Sequence, residues 1–156
     1  MSRYWPLVSL VIIAALAAAA LTYGLQKTDY QWMHFFMGFF FCQFAMLKLF
    51  HPVQFAEGFK KYDLIAKKIP QYGLVYPFIE LALGLAYLSF ALPTLTYLIT
   101  VIVMCVSAIG VIKALRKGLD VRCACMGTVL DVPLSTVTLT EDIGMGCMAL
   151  AMLILS

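Results

Sequence analysis

Charge is the scarcest commodity in this chain of 156 residues. Only 12% of its residues are Asp, Glu, Lys or Arg, against 63% hydrophobic ones, and soluble domains carry about twice that share of charge. Too few polar side chains remain to coat a water-facing surface. The chain also lacks internal repeats, polar linkers, glycine-rich phosphate loops and a haem, quinone or nucleotide signature, so the whole of 1–156 reads as one domain. Its net charge of +3 is too small and too dispersed for a nucleic-acid footprint, and no nucleic-acid partner is expected. A mean hydropathy of +0.95 leaves lipid as the solvent that such a surface faces. In lipid every backbone N–H and C=O must be paired internally, which permits helices or a closed barrel. The apolar runs are continuous rather than alternating, and that selects helices.

About 20 apolar residues cross a hydrocarbon core. Four runs have that length: Trp5 to Leu25, Tyr30 to Phe50, Tyr72 to Leu92 and Leu95 to Leu115. The first has the outline of a signal peptide, with Arg3 in front and Ala14 to Ala20 within it; it is read as a retained span. A fifth run, Ile143 to Leu155, is short for a crossing. Thr138 and Glu141 before it have the spacing of a helix-starting capping box, with Asp142 adding favourable charge. The expected fold is therefore all-α, a polytopic transmembrane bundle of four long spans plus a short C-terminal helix.

Between the second and third spans, Phe55, Phe59, Tyr62, Ala66 and Ile69 recur at helical spacing within Pro52 to Pro70, with Lys60, Lys61, Lys67 and Lys68 on the remaining arc. This is the pattern of an amphipathic helix lying in the membrane interface. If the spans alternate, ten of the eleven basic residues share one side and Lys27 alone lies opposite. Basic loops stay in the cytoplasm, so the expectation is a multi-pass protein of a bacterial-type inner membrane with a cytoplasmic N-terminus.

The chemistry-bearing stretch is Arg122-Cys123-Ala124-Cys125-Met126-Gly127. Two thiols one residue apart can run thiol–disulfide exchange, one thiolate attacking and the other resolving, and Arg122 favours the thiolate. The same thiols, with the Met126 thioether, suit Cu(I) or another soft metal ion. Cys42, Cys105 and Cys147 lie singly near the middles of their runs, two of them beside Met104, Met145 and Met148. They form either a soft-ligand path through the bilayer or ordinary packing. Glu80 is the acidic residue inside a clear span. It must face the bundle interior, as a proton or cation carrier or as the structural partner of Lys48, His51 or a hydroxyl. On the first of these, Glu80→Gln removes a charge that lipid disfavours and leaves the protein folded. His34 and His51, near opposite ends of the second run, receive no role.

Tyr76-Pro77-Phe78-Ile79-Glu80-Leu81-Ala82-Leu83-Gly84, followed by Cys123-Ala124-Cys125-Met126-Gly127, resembles the MauE/DoxX family of redox-associated membrane proteins. Phe36-Met37-Gly38, Lys48 and Tyr62-Asp63 resemble a branch found beside or fused to heavy-metal-associated domains. The resemblance implies a membrane thiol–disulfide component with Cys123 and Cys125 as its redox pair, and a thioredoxin-like or heavy-metal-associated-domain protein as partner. Two alternatives stay open. One is a copper or mercury transporter or relay using the same cysteines, and the weaker one is an assembly subunit without chemistry of its own.

Overall fold

The computed structural model describes residues 4–118 and 134–156, and these are helical apart from turns and short connections. The Cys123–Cys125 motif lies outside the described residues. Six helices follow in order: α1 (Trp5–Gly24), α2 (Asp29–Phe50), α3 (Pro52–Phe59), α4 (Tyr72–Ser89), α5 (Pro93–Arg116) and α6 (Leu134–Leu155). Helices α1, α2, α4 and α5 are long and apolar enough to cross a membrane. They match the four expected runs to within a few residues. α4 stops at Ser89, short of the expected Leu92, because Phe90 turns left-handed (φ 54°) as its C-cap and Pro93 opens the next helix. A residue ahead of proline is disfavoured in helical conformation, so the chain breaks there.

α6 starts before the apolar run that announces it. It covers 22 residues from Leu134, so Thr138 sits inside the helix and is not its cap. The capping interaction appears instead at α2, where the Gln31 side chain accepts from the Thr28 backbone N–H at 3.2 Å.

Helices α4, α5 and α6 each present a buried stripe at alternating spacings of three and four. The stripe is Tyr76, Glu80, Leu83 and Tyr87 on α4, and Tyr97, Thr100, Met104, Ser107, Val111 and Ala114 on α5. Asp142, Met145, Ala149 and Met152 continue it on α6. Such a 3.5-residue period turns one face inward along the full length of a bundle helix. α2 packs against α1 and α4, and α5 against α6. α1 is peripheral; only Ala14 and Ala18 on it are buried.

α2 and α4 approach closely at two glycines. A Cβ on Gly38 would lie 2.5 Å from Leu88 Cγ, and one on Gly84 would lie 2.8 Å from Cys42 Sγ. With no hydrophobic drive between helices in lipid, such small residues are what allow dense packing.

The segment from Pro52 to Pro70 departs from its expected form. Only Pro52–Phe59 is α-helical; the chain then turns back through residues 60–71. Asp63 organises the return, its Oδ1 accepting from the N–H groups of Ile65 and Ala66 at 2.8 Å each, a local bond pattern that competes with helix. Phe55, Phe59, Tyr62 and Ala66 are buried, whereas Ile69 is exposed. The apolar stripe faces protein rather than lipid. It packs with Tyr76, Val111 and Ala114 and is flanked by Leu7, Leu10 and Leu139, so the buried side of this amphipathic element seats it on the bundle end. Gly110 makes this possible, since a Cβ there would come within 2.7 Å of the Tyr62 carbonyl oxygen.

Candidate functional site

Polar side chains gather at two levels of the bundle interior, and α2 carries a member of each. Its buried stripe runs His34, Met37, Phe41, Phe44, Ala45 and Lys48, so both polar residues are in phase with the core. They are fourteen residues apart, about 21 Å along a helix.

At the Lys48 end, the Lys48 ammonium reaches both carboxylate oxygens of Glu80 at 2.5 Å, and both side chains are nearly excluded from solvent. Burying either charge alone costs several kcal/mol, and the bidentate geometry compensates each with the other. Tyr76 adds a side-chain hydrogen bond to Glu80. Lys48 Nζ also lies 5.0 Å from the Tyr76 ring centroid and 5.5 Å from that of Phe55, within cation–π range. Of the partners considered for Glu80, Lys48 and a hydroxyl, that of Tyr76, are both present. Gln at position 80 would leave the ammonium without its counter-charge, which reverses the expectation that this exchange is harmless to the fold.

Asp63, on the turn outside the spans, is also buried. Burial pushes its carboxyl above the usual carboxylate range, while the Ala66 and Ile65 amides and Lys67 pull the other way.

At the opposite end, His34 is buried and engaged through both ring nitrogens. The Tyr97 hydroxyl meets Nε2, and Nδ1 lies 3.4 Å from the Tyr87 carbonyl oxygen. The Tyr97 hydroxyl also pairs with that of Tyr30 at 2.9 Å, the Tyr87 hydroxyl donates to Thr100 at 3.1 Å, and the Phe90 ring stacks on His34 at 4.5 Å. This network ties α2, α4 and α5 together. Sequence reasoning left His34 without a role; its phase with Met37, Phe41 and Lys48 was the signal that it faces inward. Between α5 and α6, Ser107 donates to Asp142 at 2.7 Å, a buried pair also not foreseen.

The three described cysteines are free thiols. Cys42 is half-buried against Gly84, and Cys105 and Cys147 are exposed, while the neighbouring Met104 and Met145 are buried. The structure thus turns the methionines inward and those two cysteines outward, and it does not bring the three cysteines together. Among the described residues, no three His, Cys, Asp or Glu side chains are grouped to hold a metal ion.

A bundle of apolar helices long enough to cross a membrane, with a buried, neutralised ion pair near one end, defines a polytopic membrane protein suited to a lipid bilayer. Residues 26–155 match the family described as methylamine utilisation protein MauE. The match spans most of the chain, which belongs to the MauE family of membrane proteins, loosely linked to redox or electron-transfer processes. No curated protein and no solved structure matches it.

Proposed function

We propose that this protein is a membrane-embedded thiol–disulfide redox component that exchanges electrons through Cys123 and Cys125. The observation that carries the reading is the pair itself, two thiols one residue apart beside Arg122 within a chain of the MauE family. In sequence the pair falls between α5 and α6. In exchange, one thiolate attacks a partner disulfide and the second resolves the mixed species, so the pair becomes the disulfide as the partner becomes the dithiol. A thioredoxin-like or heavy-metal-associated-domain protein suits this chemistry. Glu80 serves as the counter-charge of Lys48 and holds α2 to α4. The N-terminus and the basic loops are assigned to the cytoplasmic side of a bacterial-type inner membrane, because ten of eleven basic residues fall there.

Met126 favours a second reading, in which the same cysteines pass on a soft ion such as Cu(I) as cargo. Single substitutions separate the two. For a redox pair, Cys123→Ser or Cys125→Ser traps a mixed disulfide with the partner. For a metal relay, neither variant traps a partner and each loses Cu(I) binding. Full activity of both single variants would contradict both readings.

A further inference from the structure

The methionines are not spread evenly through the interior. Of the nine in the chain, Met1 and Met126 lie outside the described residues. Six of the other seven, Met33, Met37, Met104, Met145, Met148 and Met152, belong to or pack against one core cluster. The cluster built around Phe59 and Tyr76 contains none, and Met46 is exposed. Spacings of three and four put Met145, Met148 and Met152 on one side of α6, and Met33 and Met37 are a turn apart on α2. Met104 reaches the same level from α5, since a Cβ on Gly146 would lie 3.5 Å from its own Cβ. A cavity of about 440 Å³ opens beside them between α1, α2 and α6. Met145 and Met148 line it together with Phe36 and Phe40, and Glu141 brings a carboxylate to the same wall. A methionine placed for packing bends into the nearest gap; here two of them border a gap that they leave open.

We propose that Met145, Met148 and Glu141 form a binding site for a soft monovalent cation, Cu(I) or Ag(I), in the wall of this cavity. Thioethers are soft donors that select such ions over hard ones. Being neutral, they leave the charge of the ion uncompensated in apolar surroundings, a cost that the Glu141 carboxylate offsets. Met104, Met37 and Met152 continue the supply of thioethers through the cluster toward His34, which is a turn from Met37 on α2. The site takes the part that the sequence suggested for Cys42, Cys105 and Cys147, two of which face outward. An acyl chain entering from the bilayer is the other occupant, and it has no use for a carboxylate in the wall. The purpose of the site rests on the soft-ion reading above, but binding there needs no cysteine.

The test loads the full chain in nanodiscs with Cu(I), after selenomethionine labelling and with Cys123→Ser/Cys125→Ser in place. Selenium X-ray absorption should show a copper neighbour. Met145→Leu/Met148→Leu, a volume-conserving exchange, should abolish that signal and leave thermal unfolding close to native. Glu141→Gln should weaken Cu(I) affinity about 10–100-fold. Met148→Leu alone, at a half-buried position, should lower the signal and decides the matter if the double variant is unstable. No copper neighbour at selenium, or a signal indifferent to these methionine exchanges, would overturn the proposal. If the native chain binds no more Cu(I) than the cysteine variant, the cysteine relay falls and this site stands. Cu(I) held only through the cysteines would do the reverse.

Discussion

Lys48 and Glu80, 32 residues apart in the chain, meet inside the bundle with the ammonium equidistant at 2.5 Å from both carboxylate oxygens. The pair makes a charge-bearing face of α2 compatible with the crossing that Gly38 and Gly84 permit. Lys48→Met should therefore cost about 3–5 kcal/mol, and Glu80→Gln a similar amount, because each strands the other group. The double variant Lys48→Met/Glu80→Gln should be more stable than either single one. Unfolding of the reconstituted protein measures this; additive losses in the double variant would show that the two groups are not coupled.

Gly110→Ala should loosen the turn after α3, since the added methyl carbon would press on the Tyr62 carbonyl at 2.7 Å, and overpacking of this kind costs about 1–3 kcal/mol. Gly144→Ala is the control, with nothing within 4 Å of its added carbon. Limited proteolysis after Lys60 and Lys61 should speed up in the first variant and stay native in the second. Equal cleavage rates would deny that Gly110 seats the turn.

Asp63 gives a pH signature. Burial raises its pKa from the usual 3.8, so the folded protein binds this proton more tightly than the unfolded chain does. Its contribution to stability is present below the ordinary carboxylate range and is lost as pH rises through the raised value. Asp63→Asn keeps the oxygen that accepts from Ile65 and Ala66 and should remove that slope from a stability–pH curve. Asp63→Ala removes both bonds and should lose about 1–3 kcal/mol at every pH. A native curve that rises with pH over this range would reverse the assigned sign.

Orientation is tested with a membrane-impermeant thiol reagent on intact cells. Cys123 and Cys125 should escape labelling until the cells are permeabilised. Prompt labelling from outside would invert the topology and place the pair on the exported face.

The four long spans were legible because lipid demands unbroken apolar length, which composition alone reports. What escaped was decided by contacts between helices. The Pro52 to Pro70 stripe showed helical phase, yet phase cannot tell whether Phe59 and Tyr62 face acyl chains or Val111 and Ala114. The N-terminal portion of α6 is too polar to register as part of an apolar run, although Asp142 becomes acceptable once Ser107 donates to it. Glu80 announced itself as a charge in need of company, and Lys48 stood among the options; His34 gave no comparable alarm, because a histidine at a helix end is ordinary until Tyr97 and Phe90 close around it. Cys42, Cys105 and Cys147 shared a depth in the sequence but not a direction in the fold.

The most direct test of the account counts thiols. Alkylation of the purified protein under denaturing conditions, mapped by mass spectrometry, should modify five cysteines after reduction. After treatment with a mild disulfide oxidant it should modify only Cys42, Cys105 and Cys147, with Cys123 and Cys125 protected and released by reductant. Five modified cysteines in both states would contradict a redox pair at Cys123 and Cys125.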